Sequence, residues 1–187
     1  MEHFFQKIEG WFTFPYLYSQ LVLALPQNGT FVEIGSWKGQ SLAFFIVESI
    51  NQKKTLNIHA VDTWAGSDEH KSETSVVSDT LFDEFKQNIA PVANHFTPHR
   101  MTSAQASRLF APLSIDAVFI DVSHAYADVK EDLQLWYPKV KSGGFVSGHD
   151  YSQAWPGVIR AVNDFYSTRR NEVIQFGDEL SWIARKP

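Results

Sequence analysis

The chain has 187 residues, of which 44% are hydrophobic and 20% charged, and its formal net charge is −5. This composition is typical of a globular protein with one core, and it excludes an intrinsically disordered chain. The chain has no cysteine, which excludes disulfides, iron–sulfur clusters, thiolate zinc sites and a cysteine nucleophile.

Hydrophobic periodicity and turn residues predict an alternation of strands and helices along the chain. In the first half, we predict a strand at 30–34, a helix at 40–50, a strand at 57–61, a polar loop at 66–80 and a short helix at 81–89. In the second half, we predict a strand at 95–101, a helical turn at 104–110, a strand at 115–120, a helix at 126–136, a strand at 145–147, a helix at 158–165 and a hairpin at 173–184. Such an alternation forms a parallel sheet covered on both faces, with ligands bound beyond the carboxyl ends of its strands.

The turn after the first strand reads Glu-Ile-Gly-Ser-Trp-Lys-Gly over residues 33–39. Gly35 permits a tight turn, and Gly39 permits close approach of the backbone where the helix begins. The turn lacks the central glycine of a dinucleotide site and the Gly-Lys-Ser/Thr of a phosphate-binding loop. With Glu33 just before Gly35, it suits a phosphate-free ligand that has a cationic or amino-acid end. An ordinary strand–helix turn is the alternative.

Polar and aromatic residues after the second and third strands suit an adenosine group. Asp62 can accept two hydrogen bonds from a ribose diol, and Trp64 can lie against an adenine ring. Ser103 can offer its hydroxyl to the edge of the adenine. The alternative is that Asp62 and Ser103 are N-cap residues of helices.

Carboxylates also follow the fourth and fifth strands. If these strands are neighbours, Asp121 and Asp150 converge at one edge of the sheet, and a divalent cation such as Mg²⁺ would relieve their repulsion. His124 follows Asp121 on the same loop and suits a general base near pH 7. The alternative is that Asp121 caps the next helix and that His124 is a solvated loop residue.

Three further segments allow more than one interpretation. Residues 1–25 hold much of the aromatic content, and they can pack over the sheet as a helix pair, cover the ligand cleft or form a dimer contact. The polar stretch 66–80 can be a lid or a solvent loop. Arg160, Arg169 and Arg170 suit a solvated helix end better than a nucleic-acid patch.

Four segments together resemble the class I S-adenosylmethionine-dependent methyltransferases, namely residues 31–39, 61–64, 118–124 and 141–150. The chain is most similar to the small bacterial group related to macrocin O-methyltransferase, and the likeness runs from about residue 10 to residue 165. The resemblance implies a Rossmann-like α/β fold whose seven-stranded, mostly parallel sheet ends in an antiparallel hairpin. It implies one methyltransferase domain over 1–187, with an aromatic-rich helical cap at 1–25.

The resemblance also implies roles for individual residues. Those implied to bind S-adenosylmethionine are Glu33, Gly35, Ser36, Trp37, Gly39, Ser41, Asp62, Thr63, Trp64, Ser103 and Asp121. Asp121 and Asp150 are implied to bind Mg²⁺ or another divalent cation, and Asp121 and His124 to be catalytic, with His124 as the base. The candidates for a third metal ligand are His149, Asn163, Asp68 and Glu69.

The predicted reaction is methylation of a hydroxyl of a small molecule, with assistance from a divalent metal. The alternatives are a non-catalytic binding domain of the same fold and a nicotinamide-dependent oxidoreductase, although the latter would need a three-glycine turn. The net charge disfavours a nucleic-acid partner. The start of the chain does not resemble a signal peptide, and no stretch suits a membrane span, so we expect a cytoplasmic protein without a membrane partner. The sequence is also compatible with a homodimer.

Overall fold

A computed structural model describes residues 1–67, 72–169, 174–176 and 180–187, with side chains described outside 174–176. The described helices are all too short or too polar to cross a lipid bilayer.

The described residues form a single mixed sheet. Its strands are β1 Thr30–Ile34, β2 Asn57–Asp62, β3 Phe96–Arg100, β4 Ile115–Ile120, β5 Val140–Gly148, β6 Ile174–Phe176 and β7 Trp182–Arg185, in the order β3-β2-β1-β4-β5-β7-β6. Strands β1 to β5 pair in parallel, whereas β7 is antiparallel to both β5 and β6. Six strands have described side chains, and β6 is a three-residue edge strand. The predicted parallel sheet with an antiparallel end is confirmed.

Seven α-helices lie in the described residues. They are α1 Pro15–Ala24, α2 Gln40–Asn51, α3 Thr74–Val77, α4 Leu81–Ile89, α5 Ser103–Ala106, α6 Tyr126–Trp136 and α7 Pro156–Tyr166. Helix α1 begins at Pro15, whose fixed φ and missing N–H suit the first turn of a helix.

Two predicted elements and one of the alternatives for the amino-terminal segment were wrong. The 66–80 segment is not all loop, because α3 forms within it. The fifth strand is longer than 145–147, since it begins at Val140 and passes through Gly143 and Gly144. The amino-terminal 25 residues are not a helix pair, because a single 3₁₀ turn, Phe5–Lys7, precedes α1. The turn of the predicted hairpin, at 177–179, and residue 173 lie outside the described residues.

Two apolar cores cover the two faces of the sheet. Successive side chains of a strand point to opposite faces, so Phe31 joins the core under α1, α2 and α4, and Val32 joins the core under α6 and α7. The rings of Phe31 and Phe45 stack with centroids 3.8 Å apart. Burying such a ring stabilises the fold by roughly 1.5–3 kcal/mol. All six residues of β4 are buried, so the centre of the sheet is a rigid support for the loops that follow its strands.

The strand order reverses direction at β1, since the chain adds β2 and β3 on one side of it and β4 on the other. At such a switch point the loops that leave neighbouring strands diverge to opposite faces and leave a crevice. The topology therefore places a ligand cleft beyond the carboxyl ends of β1 and β4.

Candidate active site

A cleft of about 460 Å³ opens at this switch point. Its walls include Gly35, Asp62, Ser103 and Asp121, which follow or end four different strands. This volume lies within the range of small-molecule sites, roughly 300–1,000 Å³. A cavity of about 570 Å³ lies elsewhere, beside residues such as Asn57 at the amino ends of the strands. It contains none of the predicted site residues, so we place the candidate site in the smaller cleft.

The backbone of the turn after β1 lies against the loop after β4. Gly35 has a φ of 90°, and a Cβ added there would lie 1.7 Å from the carbonyl oxygen of Asp121. Gly39 is the N-cap of α2 with a φ of 91°, and an added Cβ would lie 3.2 Å from the ring of Phe85. The positive φ favours glycine at both positions, and at Gly35 a side chain would also push the turn away from the loop after β4.

Glu33 lies beneath this turn, with only 1% of its surface exposed. It accepts a hydrogen bond of 2.7 Å from the Tyr18 hydroxyl at Oε1 and one of 2.7 Å from the Ser36 hydroxyl at Oε2. Burial raises the pKa of Glu33 to about 7, although hydrogen bonds from Ser36, Ser41 and Tyr18 oppose that rise. In this structure the carboxyl group and the Ser36 and Ser41 hydroxyls hold the turn in place.

Asp62 fixes two backbone segments of the cleft. The N–H of Trp37 donates to Oδ2 at 2.8 Å, and the N–H of Trp64 donates to Oδ1 at 2.7 Å. Burial raises the pKa of Asp62, and these backbone hydrogen bonds limit the rise. Residues 63–67 are not helical, so the N-cap alternative for Asp62 is wrong. Further backbone N–H groups of the same two loops also bond to this carboxylate, so Asp62 joins the turn after β1 to the loop after β2.

The ring of Trp64 does not line the cleft, which corrects the predicted contact with adenine. It is fully buried between Phe82 and Phe85, with ring centroids 4.5 and 4.6 Å away. Its Nε1 donates to the carbonyl of Trp37 at 2.8 Å. The backbone turn at Trp64, which has a φ of 50°, sends the side chain into the core below α4.

Ser103 lines the cleft, but it is the first residue of α5 and not its cap. Thr102 is the N-cap, in a capping box with Gln105. The Ser103 hydroxyl donates to Asp132 and accepts a hydrogen bond of 2.8 Å from Trp136 Nε1. Asp132 also lines the cleft, and the sequence analysis missed it.

Three polar side chains meet beside the cleft after β4 and β5. One ligand atom of each of Asp121, His124 and Asp150 lies within 4.8 Å of the others. Nε2 of His124 lies 2.8 Å from Oδ2 of Asp150, and the His124 ring stacks on Trp155 with centroids 3.7 Å apart. Asp121 does not cap α6, whose N-cap is Ala125, so that alternative is wrong.

The pKa values of the two carboxyl groups of this cluster are shifted in opposite directions by burial and by neighbouring groups. Burial raises the pKa of Asp121 to about 6, with His149 opposing the rise and Asp150 adding to it. Burial also acts to raise the pKa of Asp150, but hydrogen bonds from His124 and His149 hold it well below its usual range. Asp150 is therefore an anion in contact with imidazole, and Asp121 is the carboxyl group that protonates more readily.

A sequence model of a family described as a methyltransferase domain matches residues 32–151. These residues run from β1 to the loop after β5, and they include most of the cleft and the whole Asp121–His124–Asp150 cluster. The chain belongs to this methyltransferase family. The predicted membership of a methyltransferase family is thereby confirmed.

Two individual proteins match the chain at less than 30% sequence identity. It is 29% identical over 157 residues to the uncharacterized protein R132 of Acanthamoeba polyphaga mimivirus, covering 78% of this chain and 66% of that one. A second relative is 28% identical over 148 residues, and the chain spans 16% of its length. The chain thus spans less than two thirds of the length of either protein.

Solved structures share the fold at low sequence identity. The O-methyltransferase NovP has a TM-score of 0.64 and 15% identity, covering 92% of this chain and 78% of that one. An rRNA methylase from Streptococcus thermophilus has a TM-score of 0.62 and 12% identity, covering 91% of this chain and 94% of that one. Because only the second name specifies an acceptor, ribosomal RNA, the shared fold does not identify an acceptor for this chain.

His149 connects the cluster to the amino-terminal segment. Its Nδ1 lies 3.4 Å from Asp150 Oδ2 and 3.9 Å from Asp121 Oδ1, and its Nε2 lies 2.9 Å from Oγ1 of Thr13. Among the other candidates for a third metal ligand, Asn163 accepts from the Tyr151 hydroxyl on the exposed face of α7. Asp68 and Glu69 lie outside the described residues, as does Arg170.

Residues 9–14 lie over one end of the cleft. Glu9 pairs with Lys38 at 2.8 Å, and the N–H of Phe12 donates to Gln40 Oε1 at 3.1 Å. Beneath them, a cavity of about 60 Å³ reaches Asp121. At the other end, the described part of the 66–80 segment contributes Gly66 and Ser67 to the wall. This geometry is compatible with the predicted cap and lid.

Proposed function

We propose that the methyltransferase transfers a methyl group from S-adenosylmethionine to a hydroxyl of a small molecule. The proposal is carried by one observation: Asp62 and Asp121 line the same cleft, and the Asp121–His124–Asp150 cluster lies at its side. A methyl donor bound by Asp62 would thus lie next to side chains that can accept the proton of the acceptor's hydroxyl group.

The cleft fits the cofactor chemically. Its described walls carry the five carboxylates of Asp62, Asp121, Asp128, Glu131 and Asp132, without lysine, arginine or histidine. This charge favours a sulfonium cation and opposes phosphates. Gly35 lines this cleft, so a ligand there would meet the backbone of the turn after β1.

Specific residues would hold each part of the cofactor. Asp62 would accept hydrogen bonds from the ribose hydroxyls, with Thr63 beside it. The turn after β1 would hold the methionine end, and the end of β3 would meet the adenine. The turn residues assigned to the methionine end are Gly35, Ser36, Trp37 and Gly39, with Glu33 and Ser41 supporting them from below.

S-adenosylmethionine supplies a methyl group activated by positive sulfur. The acceptor's oxygen would displace the thioether sulfur from this methyl group, so the protein's main contribution would be to align the two ligands in the cleft. His124 would take the hydroxyl proton, since an imidazole titrates near neutral pH. Asp150, 2.8 Å from His124 Nε2, would orient the ring and stabilise the imidazolium, and Trp155 would fix its plane.

The same cluster fits a divalent cation. Asp121, His124 and Asp150 each offer a ligand atom within 4.8 Å of the others, and a set rich in oxygen suits Mg²⁺. When bound, Mg²⁺ would lower the pKa of the acceptor hydroxyl. Asp121 and Asp150 would hold the ion. His124 could then remain the base, because the two carboxylates alone would provide the protein ligands.

Radiolabelled S-adenosylmethionine and a panel of hydroxylated small molecules, such as sugars and catechols, test this proposal. We expect label in at least one small molecule and none in ribosomal RNA incubated in parallel. Label in RNA alone would contradict the proposed acceptor class. Binding of the cofactor without transfer to any compound would favour the non-catalytic alternative.

A further inference from the structure

We propose that Trp182 holds one buried water molecule between Asp121 and Asp150 and, through that water, positions the carboxylate that orients His124. The inference rests on the proposed function, because it takes His124 as the base. Trp182 lies on β7, and the mechanism described above gives it no role.

The indole N–H of Trp182 is a buried donor that has no acceptor among the described residues. Only 1% of the surface of Trp182 is exposed, and its Nε1 atom is buried. Buried polar groups in native proteins are paired with protein atoms or with ordered water, because an unpaired one loses its hydrogen bonds to solvent. An indole N–H can only donate, so the missing partner of Trp182 is an acceptor.

A small cavity lies beside this indole ring. Its volume is about 10 Å³, and its wall includes Trp182, His124 and both carboxylates of the cluster. A Cβ added at Gly148 would lie 2.9 Å from Cε2 of Trp182, the ring atom that is bonded to Nε1. The N–H edge of the indole therefore lies at the carboxyl end of β5, next to the loop that carries Asp150. The cavity has roughly the volume that one water molecule needs.

The two carboxylates in the wall of this cavity have acceptor capacity that the described residues do not use. His124 and His149 both approach Asp150 at Oδ2, at 2.8 Å and 3.4 Å, so Oδ1 has no partner among the described residues. Nδ1 of His149 lies 3.9 Å from Oδ1 of Asp121, which is too far for a hydrogen bond. An additional donor in the cavity would therefore find a free oxygen on each carboxylate.

The groups around the cavity select a neutral water molecule. An anion would lie against two carboxylates, and a cation cannot accept the hydrogen bond that the indole N–H donates. The oxygen of a water molecule can accept from Trp182 while its two O–H groups donate to Asp121 and Asp150. Buried waters typically make about three hydrogen bonds, which is the number available here. This water would link the two carboxylates when no divalent cation is bound to them.

The water matters for the base because of the conformation of Asp150. Its φ is 58°, in the left-handed region that is unfavourable for a residue with a side chain. Such a conformation persists where the surrounding contacts fix it. The water at Oδ1 and the imidazole at Oδ2 would together fix the plane of the carboxylate. Without the water, the carboxylate could rotate about its Cβ–Cγ bond, and the ring of His124 would lose its orientation.

A high-resolution crystal structure of the wild type, grown in EDTA, tests for the water directly. We expect one density peak about 2.8–3.0 Å from Nε1 of Trp182 and about 2.7–2.8 Å from one oxygen of each carboxylate, Asp121 and Asp150. A peak about 2.0–2.4 Å from those oxygens would be a cation, and it would overturn the inference. So would a wild-type structure without a peak at Nε1.

Kinetics of the methyl transfer test the positioning role. Trp182→Phe keeps a ring but removes the N–H, so turnover should fall roughly fivefold, the loss that one hydrogen bond corresponds to. Affinity for S-adenosylhomocysteine should stay within about twofold. In a His124→Ala background the same substitution should have no further effect, because Trp182 acts through His124. Tyr166→Phe is the matched control: its ring packs 6.2 Å from that of Trp182 but does not line the cavity, and turnover should be unchanged.

The possible outcomes distinguish this inference from the proposed function. Wild-type turnover in Trp182→Phe would overturn the role of Trp182 and leave the proposed function standing. An equal loss of turnover with and without His124 would do the same, since it would indicate a purely structural role. The wild-type crystal structure decides the matter even if Trp182→Phe does not fold. If the protein methylates no hydroxyl, the proposed function fails, and the positioning role fails with it whatever the crystal shows.

Discussion

The Thr13 hydroxyl oxygen lies 2.9 Å from Nε2 of His149, so the extended amino-terminal segment reaches the imidazole beside the acidic cluster. The same imidazole lies 3.4 Å from Asp150 through its other nitrogen. Closure of residues 9–14 over the cleft and the arrangement of the cluster are therefore physically connected.

Thr13→Val should weaken the contact that holds residues 9–14 over the cleft. Loss of one hydrogen bond costs about 1 kcal/mol, which corresponds to roughly a fivefold weaker affinity for S-adenosylhomocysteine if the closed cover is needed for binding. Amide hydrogen exchange in residues 9–14 should become faster. Thr13→Ser restores the hydroxyl and should restore both values, whereas equal exchange rates in all three proteins would show that this contact does not hold the segment.

His124→Ala tests the proposed base. Because His124 is assigned to proton transfer and not to cofactor binding, methyl transfer should fall roughly 100-fold or more while affinity for S-adenosylhomocysteine changes little. His95→Ala, at an exposed position beside the other cavity, is the matched control and should retain activity. A His124→Ala variant with wild-type turnover would remove His124 from the mechanism.

Removal of divalent cations by a chelator tests the role of the metal independently of the role of the base. If Asp121 and Asp150 hold a cation that assists the reaction, dialysis against EDTA should abolish transfer, and added Mg²⁺ should restore it. Asp150→Asn should then need more Mg²⁺ for half-maximal activity. Unchanged activity in EDTA, together with loss of activity in His124→Ala, would disprove the metal's role and keep the base.

Gly35→Ala should disrupt the turn after β1. The added Cβ would lie 1.7 Å from the carbonyl oxygen of Asp121, so β1 and the loop after β4 would have to separate. Gly143→Ala is a matched control, because Gly143 also has positive φ, at 80°, but its added Cβ would meet only the end of Arg185 at 3.6 Å. We expect about 1 kcal/mol of destabilisation in Gly143→Ala and several times that in Gly35→Ala, measured by urea unfolding. Equal losses would mean that backbone strain, and not the contact with Asp121, explains the glycine.

Glu33 should make stability depend on pH. Burial raises its pKa from 4.5 to about 7, so the folded protein holds this proton more tightly than the unfolded chain does. Its contribution to the free energy of unfolding is fully present below about pH 4.5 and decreases by about 3 kcal/mol as the pH rises through 7. Glu33→Gln should remove this dependence, whereas the exposed Glu2→Gln should not. Unfolding curves of the three proteins from pH 5 to 8 measure the difference, and parallel curves for wild type and Glu33→Gln would contradict the shifted pKa.

The sequence predicted which loops form the site better than it predicted the directions and contacts of their side chains. Strand alternation and the glycines at 35 and 39 were sufficient to place Asp62 and Asp121 at one cleft, because carboxyl ends of parallel strands share an edge. The direction of the Trp64 ring depends on one residue with positive φ, which no periodicity reveals. Asp132 and Thr13 were missed because their positions depend on how α6 and the first 14 residues pack, and those contacts are distant in sequence.

Titration calorimetry with S-adenosylhomocysteine most directly tests whether the cleft at the switch point is a cofactor site. The wild type should bind it at micromolar concentration, and Asp62→Ala should lose most of that affinity, since Asp62 is the residue assigned to the ribose. Asp83→Ala, which removes an exposed carboxylate paired with Lys86 on α4, should bind as the wild type does. No heat from the wild type at millimolar ligand, or equal affinity in Asp62→Ala, would contradict the account.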